Sequence, residues 1–129
     1  MIQKEEKQLL LVDLSARLSY GVKINHIADT EVAPVTLIGI AKDMITLESS
    51  AGYSSVDVED YRPYLFPLSS MNEEQKENYN NFFIHSLRGL LTPQDSIELF
   101  DWLNKNHFDY RGLIEKSLAL DATNLRIYE

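Results

Sequence analysis

A chain of 129 residues with a net charge of −8 and no cysteine has room for one domain, or for two small lobes on a shared core. It cannot form disulfides, thiolate metal sites or iron–sulfur clusters. Six Lys/Arg stand against ten Asp/Glu in each of the segments 1–70 and 71–129, so neither half shows the basic face by which nucleic-acid binders release counterions.

The first predicted helix covers residues 4–18. Leu10, Leu14 and Leu18 are spaced by four, with Leu11 beside them, and form one apolar stripe. Glu5 and Glu6 in the first turn suit the helix dipole, and Tyr20-Gly21 ends the helix because glycine readily takes the left-handed cap conformation. Arg17 reads as a cation near the terminal carbonyls. The apolar run at residues 9–12 is shorter than the about 7–15 residues of a signal peptide, and no window approaches the about 20 apolar residues of a membrane span. A cytoplasmic location and no membrane contact are expected.

From Val22 the texture is that of strands. "VKI" alternates, "PVTLIGI" is rich in β-branched residues, and with "AKD" as a turn and "MITLE" alternating again, residues 35–48 predict a hairpin. "SSAGYSS" reads as loop and "VDVEDY" as a further short strand. Four or five short strands in this space predict a small antiparallel sheet, either curled or closed into an SH3-like barrel. "YRPYLFPLSSM" follows. Pro63 and Pro67 bias the residues before them toward extended geometry, and the apolar content of the stretch predicts a packed-down connector closing a unit of residues 1–70.

Residues 71–129 predict a lobe of about three helices, packed on the first unit. Asn72 and Gln75 form a capping box, after which Tyr79, Phe82, Phe83, Leu87, Leu90 and Leu91 follow helical spacing. Thr92, Pro93 and Asp95 restart the pattern as cap, first residue and first-turn acid. Leu99, Phe100 and Leu103, flanked by Ile97 and Trp102, predict a broad buried face. The overall expectation is an α+β protein with the order helix, small β lobe, helical lobe.

Residues 106–116, "NHFDYRGLIEK", gather His107, Asp109, Tyr110, Arg111 and Glu115, all of types that active sites use. The simpler reading is punctuation. Asn106 and its neighbours end one helix, Phe108 plugs a gap, and Asp109 caps a third helix carrying Leu113, Ile114 and Leu118. Arg111 could clasp a phosphate or carboxylate or pair with Glu115 at i+4. Were the chain an enzyme, His107, Asp109 and Arg111 would carry the chemistry with Tyr110 in support. His26, His85 and His107 lack metal-ligand spacing, and there is no nucleophile elbow, P-loop or dinucleotide fingerprint. No catalytic residue, cofactor or metal is therefore assigned.

Three blocks, "LLLVDLSARLSYGVKI", "YRPYLFPLSSMNEEQKENY" and "WLNKNHFDYRGLIEKSLAL", resemble the signature of an uncharacterised family of small hypothetical proteins. That family is frequent in gut anaerobic bacteria and in their phages and mobile elements. The chain departs from its pattern at Ser19, where proline is usual, at Ser117, where glycine is usual and serine favours continuing the helix, and in the tail "DATNLRIYE". The resemblance carries no catalytic residue and implies an accessory protein.

The leading expectation is a non-enzymatic module that binds another protein. Its candidate surface joins Tyr61, Arg62 and Tyr64 of the connector to His107, Tyr110 and Arg111 of the turn, since tyrosine and arginine are frequent interface anchors. The alternatives are a nucleic-acid-linked role, by direct binding through the β lobe or by acidic mimicry of DNA, and a small enzyme.

Overall fold

The computed structural model describes residues 2–84 and 92–129. Helix α1 (Lys4–Arg17) starts where the Glu6 carboxylate accepts from the Gln3 N–H (3.0 Å) and runs into a 3-10 turn over Leu18–Tyr20. Gly21, at φ 68°, then reverses the chain in the left-handed region as its sequence position implied. Leu10, Leu11 and Leu14 of the expected stripe are buried.

Five strands follow: β1 (Lys23–His26), β2 (Val35–Ala41), β3 (Met44–Ser49), β4 (Gly52–Asp57) and β5 (Tyr61–Pro67). β2 and β3 form the expected hairpin, closed at Ala41↔Met44 by a two-residue turn in which Lys42 takes φ 57°. Ile45 and Leu47 point into the core while Met44 and Glu48 face out, the alternation that one solvated sheet face requires. The register steps by one residue between Leu37 and Gly39, leaving Ile38 as an extra residue. There the β2 backbone passes so close that a Cβ on Gly39 would lie 3.4 Å from the Thr46 Cβ.

Two boundaries differ from the expectation. β4 begins inside the loop-like "SSAGYSS", because Gly52 to Asp57 can complete an antiparallel ladder with Ser49 to Met44. The run expected to be a further strand instead breaks into a 3-10 turn at Val58–Asp60, where the Asp57 side chain accepts from the Glu59 N–H (2.9 Å). The expected connector is the hub strand β5. Its extended geometry follows from the prolines, and their lack of an N–H is harmless because of where they point. Successive residues of a strand address opposite edges. The Asp60 C=O and Phe66 N–H, at even positions, bond Ile27 and His107, whereas the Leu65 C=O, at an odd position, accepts from Ala122. Pro63 and Pro67 are odd too, so their ring nitrogens face the same edge as the Leu65 C=O, away from β1.

The C-terminal segment adds two short strands to β5 in parallel, β6 (Phe108–Asp109) and β7 (Leu120–Asp121). The sheet is therefore mixed, in the order β4-β3-β2-β1-β5-β6 with β7 also on β5. It is not closed into a barrel: among the described residues nothing pairs β4 with β5 or β6, and the strands on β5 are β1, β6 and β7.

Between β5 and β6 lie α2 (Glu73–Ile84) and α3 (Pro93–Lys105). Both caps form as read from the sequence: Asn72 and Gln75 exchange bonds of 2.8 and 2.9 Å, and the Thr92 hydroxyl accepts from the Asp95 N–H (3.1 Å). The expected continuation of α2 through Leu87, Leu90 and Leu91 lies outside the described residues, as does His85. α3 buries Leu99 and Leu103, but its buried face is narrower than expected, with Ile97 and Phe100 exposed.

The third helix is replaced by a single capped turn. Asp109 does accept from the Leu113 and Ile114 N–H groups (both 2.9 Å). Within one turn, however, the Ser117 N–H bonds the Ile114 C=O and the Leu118 N–H bonds the Leu113 C=O, with Ser117 left-handed at φ 60°. That pair of bonds is a Schellman stop. It drives Leu113 and Leu118 together into the core and sends the chain on to β7.

Two apolar clusters result. The larger joins α1, the sheet, Leu113 and Leu118. The smaller sets Met71, Leu99, Leu103 and Phe108 against Phe66, Tyr79, Phe82, Trp102 and Tyr110.

Candidate functional site

Asp13 and Arg17 lie one helical turn apart on α1 and both are 0% exposed. The Arg17 Nε donates to Asp13 Oδ2 (2.9 Å), and its Nη2 reaches Asp13 Oδ1 (3.2 Å) and the Phe108 carbonyl (2.6 Å). Arg17 is the cation of the last α1 turn, as its sequence position implied, but the carbonyl it bonds belongs to β6 rather than to α1. Arg111 joins from the turn, its Nη1 donating to Asp13 Oδ1 (2.9 Å) and to the Tyr110 hydroxyl (3.0 Å). The Tyr110 hydroxyl donates onward to Asn104 Oδ1 (2.8 Å), and both guanidiniums lie over the Tyr110 ring at 5.2 and 4.7 Å. Arg111 thus takes Asp13, 98 residues away in sequence, rather than Glu115.

His107 is 7% exposed and held at φ 61° between α3 and β6. Its ring stacks on Tyr128 with centroids 3.7 Å apart and planes 13° from parallel. Burial, and then the nearby Arg17 cation, push its pKa down from 6.5 to about 4, so the imidazole is neutral at pH 7. Its Nδ1 is buried with no hydrogen-bond partner among the described residues. The Tyr128 hydroxyl accepts from the Lys23 N–H (2.9 Å) and donates to the Tyr64 C=O (2.7 Å), standing in for the ladder where β1 leaves β5. Burial raises the pKa of this phenol.

The remaining candidate residues are placed as follows. Arg62 is buried, donating to the carbonyls of Glu59, Tyr61 and Ser117 at 2.6, 2.8 and 3.0 Å. Tyr64 is buried, and Tyr61 is half-buried with its ring edge-on to His26. Tyr110 and Arg111 are half-buried and in contact, and Asp109 is buried with both oxygens on backbone N–H groups. The fold therefore brings Tyr110 and Arg111 together and sets His107 near Tyr64 only through Tyr128. Asp13 and Arg17 went unread in the sequence as a buried pair. Their signal was an i, i+4 acid–base pair whose Asp13 falls on the same helical face as Leu10 and Leu14.

A second feature lies on the helical layer. An open groove of about 500 Å³ between α2 and α3 is lined by Phe82 and Trp102, with Asn78 and Asn81 on one wall and Asp95 and Glu98 on the other. Among the described residues no three His, Asp or Glu side chains converge as metal ligands, and no helix is long and apolar enough to cross a membrane.

The molecule so defined is an α+β protein with a mixed open sheet, a buried ionic network and an acidic helical groove. No known protein family, curated protein or solved structure matches the chain.

Proposed function

We propose that the chain is a non-enzymatic protein-interaction module, with the accessory role in a phage or mobile element that the sequence resemblance implies. The observation that carries this reading is how the polar residues of the 106–116 turn are used. Asp109 accepts two backbone N–H groups, Arg111 holds Asp13, Tyr110 holds Asn104, and His107 is neutral beneath Tyr128. A catalytic acid, base or nucleophile needs a substrate-facing atom not already committed to the fold, and each of these groups is committed or covered. Tyr61, Tyr110 and Arg111 are half-buried and retain surface that a partner can touch.

The test is affinity capture of the tagged protein from native lysate with mass spectrometry, beside a broad substrate screen. A stoichiometric protein partner is expected. Turnover that disappears in His107→Asn, with no such partner, overturns the reading in favour of an enzyme.

A further inference from the structure

Among the described residues, α2 and α3 carry six acidic residues, Glu73, Glu74, Glu77, Asp95, Glu98 and Asp101, against Lys76 and Lys105. The groove between them reproduces this bias: among the described residues, two carboxylates, two amides and two aromatic rings line it, with no cation. Its floor is preformed. Phe82 and Trp102 pack ring to ring at 5.9 Å, and Trp102 stacks in turn on buried Phe108 at 5.5 Å. Glu98 is exposed, with one oxygen held by Gln94 Nε2 (3.1 Å), and Asn78 and Asn81 are exposed on the opposite wall. An apolar floor between a carboxylate wall and an amide wall fits one kind of occupant. Its anchor side chain is apolar, its flanking side chains are cationic, and its backbone offers hydrogen bonds to amides.

We infer that this groove docks a lysine- or arginine-flanked apolar segment of a partner protein. The inference rests on the interaction-module reading and names the partner's chemistry. A second copy of this chain is a poor occupant by charge, because each copy carries −8 and the facing helices would repel.

Trp102 is the single tryptophan, so the groove contains its own reporter. The probe is an amphipathic peptide of lysine and leucine, with its glutamate–leucine counterpart as control, titrated against the full chain while tryptophan emission is read. The lysine peptide is expected to give a saturable change that weakens with added salt, and the glutamate peptide none. Glu98→Lys/Asn81→Lys, both exposed positions, is expected to weaken binding by about tenfold or more. Thr30→Lys/Glu31→Lys makes the same charge change on a distant exposed loop and leaves binding unaltered. No emission change, equal response to both peptides, or equal loss in the two double variants overturns the inference. A captured partner that binds the Glu98→Lys/Asn81→Lys protein undiminished also overturns it, while leaving the module reading standing. Absence of any partner, with turnover, sinks that reading itself.

Discussion

The Arg17 guanidinium and the Asp13 carboxylate form an ion pair at 2.9 Å with neither side chain reaching solvent. Removing one member of such a pair strands the other charge in the interior, at a cost of about 3–5 kcal/mol. Asp13→Ala is therefore expected to be among the most destabilising single substitutions in the chain, as measured by urea unfolding. Asp13→Leu/Arg17→Met, which strands no charge on α1, is expected to be milder than Asp13→Ala. A double variant as unstable as the single one would locate the cost in packing or in the partner that Arg111 loses in both.

Asp109 uses both carboxylate oxygens, one on the Leu113 N–H and one on the Ile114 N–H. Asparagine offers a single acceptor oxygen, so Asp109→Asn is expected to restore about half of what Asp109→Ala loses. Each buried N–H left without a partner costs about 1–3 kcal/mol. Thermal melts of the three proteins should rank wild type, Asn, Ala at roughly even intervals. Full rescue by asparagine would mean that one of the two bonds contributes nothing.

Ser117 occupies the left-handed position of the Schellman stop at φ 60°. A residue with a Cβ is disfavoured there by about 1–2 kcal/mol, and glycine offsets part of its gain by greater freedom when unfolded. Ser117→Gly is expected to raise stability by about 0.5–1 kcal/mol, read as an upward shift in the urea midpoint. A neutral or destabilising outcome would show that the side chain contributes more than its backbone strain costs.

His107 makes stability depend on pH in a defined window. Its folded pKa, about 4, lies below the ordinary 6.5, so between those values the unfolded chain binds a proton that the folded chain refuses. Stability is fully present above pH 6.5 and falls as pH drops toward 4, by about 3 kcal/mol over the whole interval. His107→Asn, which keeps a residue tolerant of left-handed geometry, is expected to flatten that part of the pH–stability curve. An unchanged slope would assign it to other groups.

Local signals in the sequence were sufficient wherever the physics is local. The capping box at Asn72, the cap at Thr92, the Gly21 exit and the β2–β3 hairpin each depend on residues within a few positions of one another, and each was legible. What escaped depends on partners far along the chain. β5 read as a connector because nothing nearby announces that residues 108–109 and 120–121 will pair with it in parallel. Asp109 was legible as a cap, but whether a helix or a single turn follows is decided by Ser117 turning left-handed as Leu118 packs into the core. The candidate residues of the turn were legible as chemical types only, since Asp13, the partner that commits Arg111, lies 98 positions upstream.

The Tyr128 hydroxyl joins Lys23, 105 residues before it, to Tyr64, 64 residues before it. Such a contact sets a timetable. During synthesis β1 and β5 emerge long before the side chain that seals the gap between them, and the hub strand waits with backbone groups open until β6, β7 and finally Tyr128 arrive. Closing loops of that span is entropically slow. The late, rate-setting event in folding is therefore expected to be the docking of the C-terminal segment onto β5, with the nascent strand edge exposed to mispairing until then.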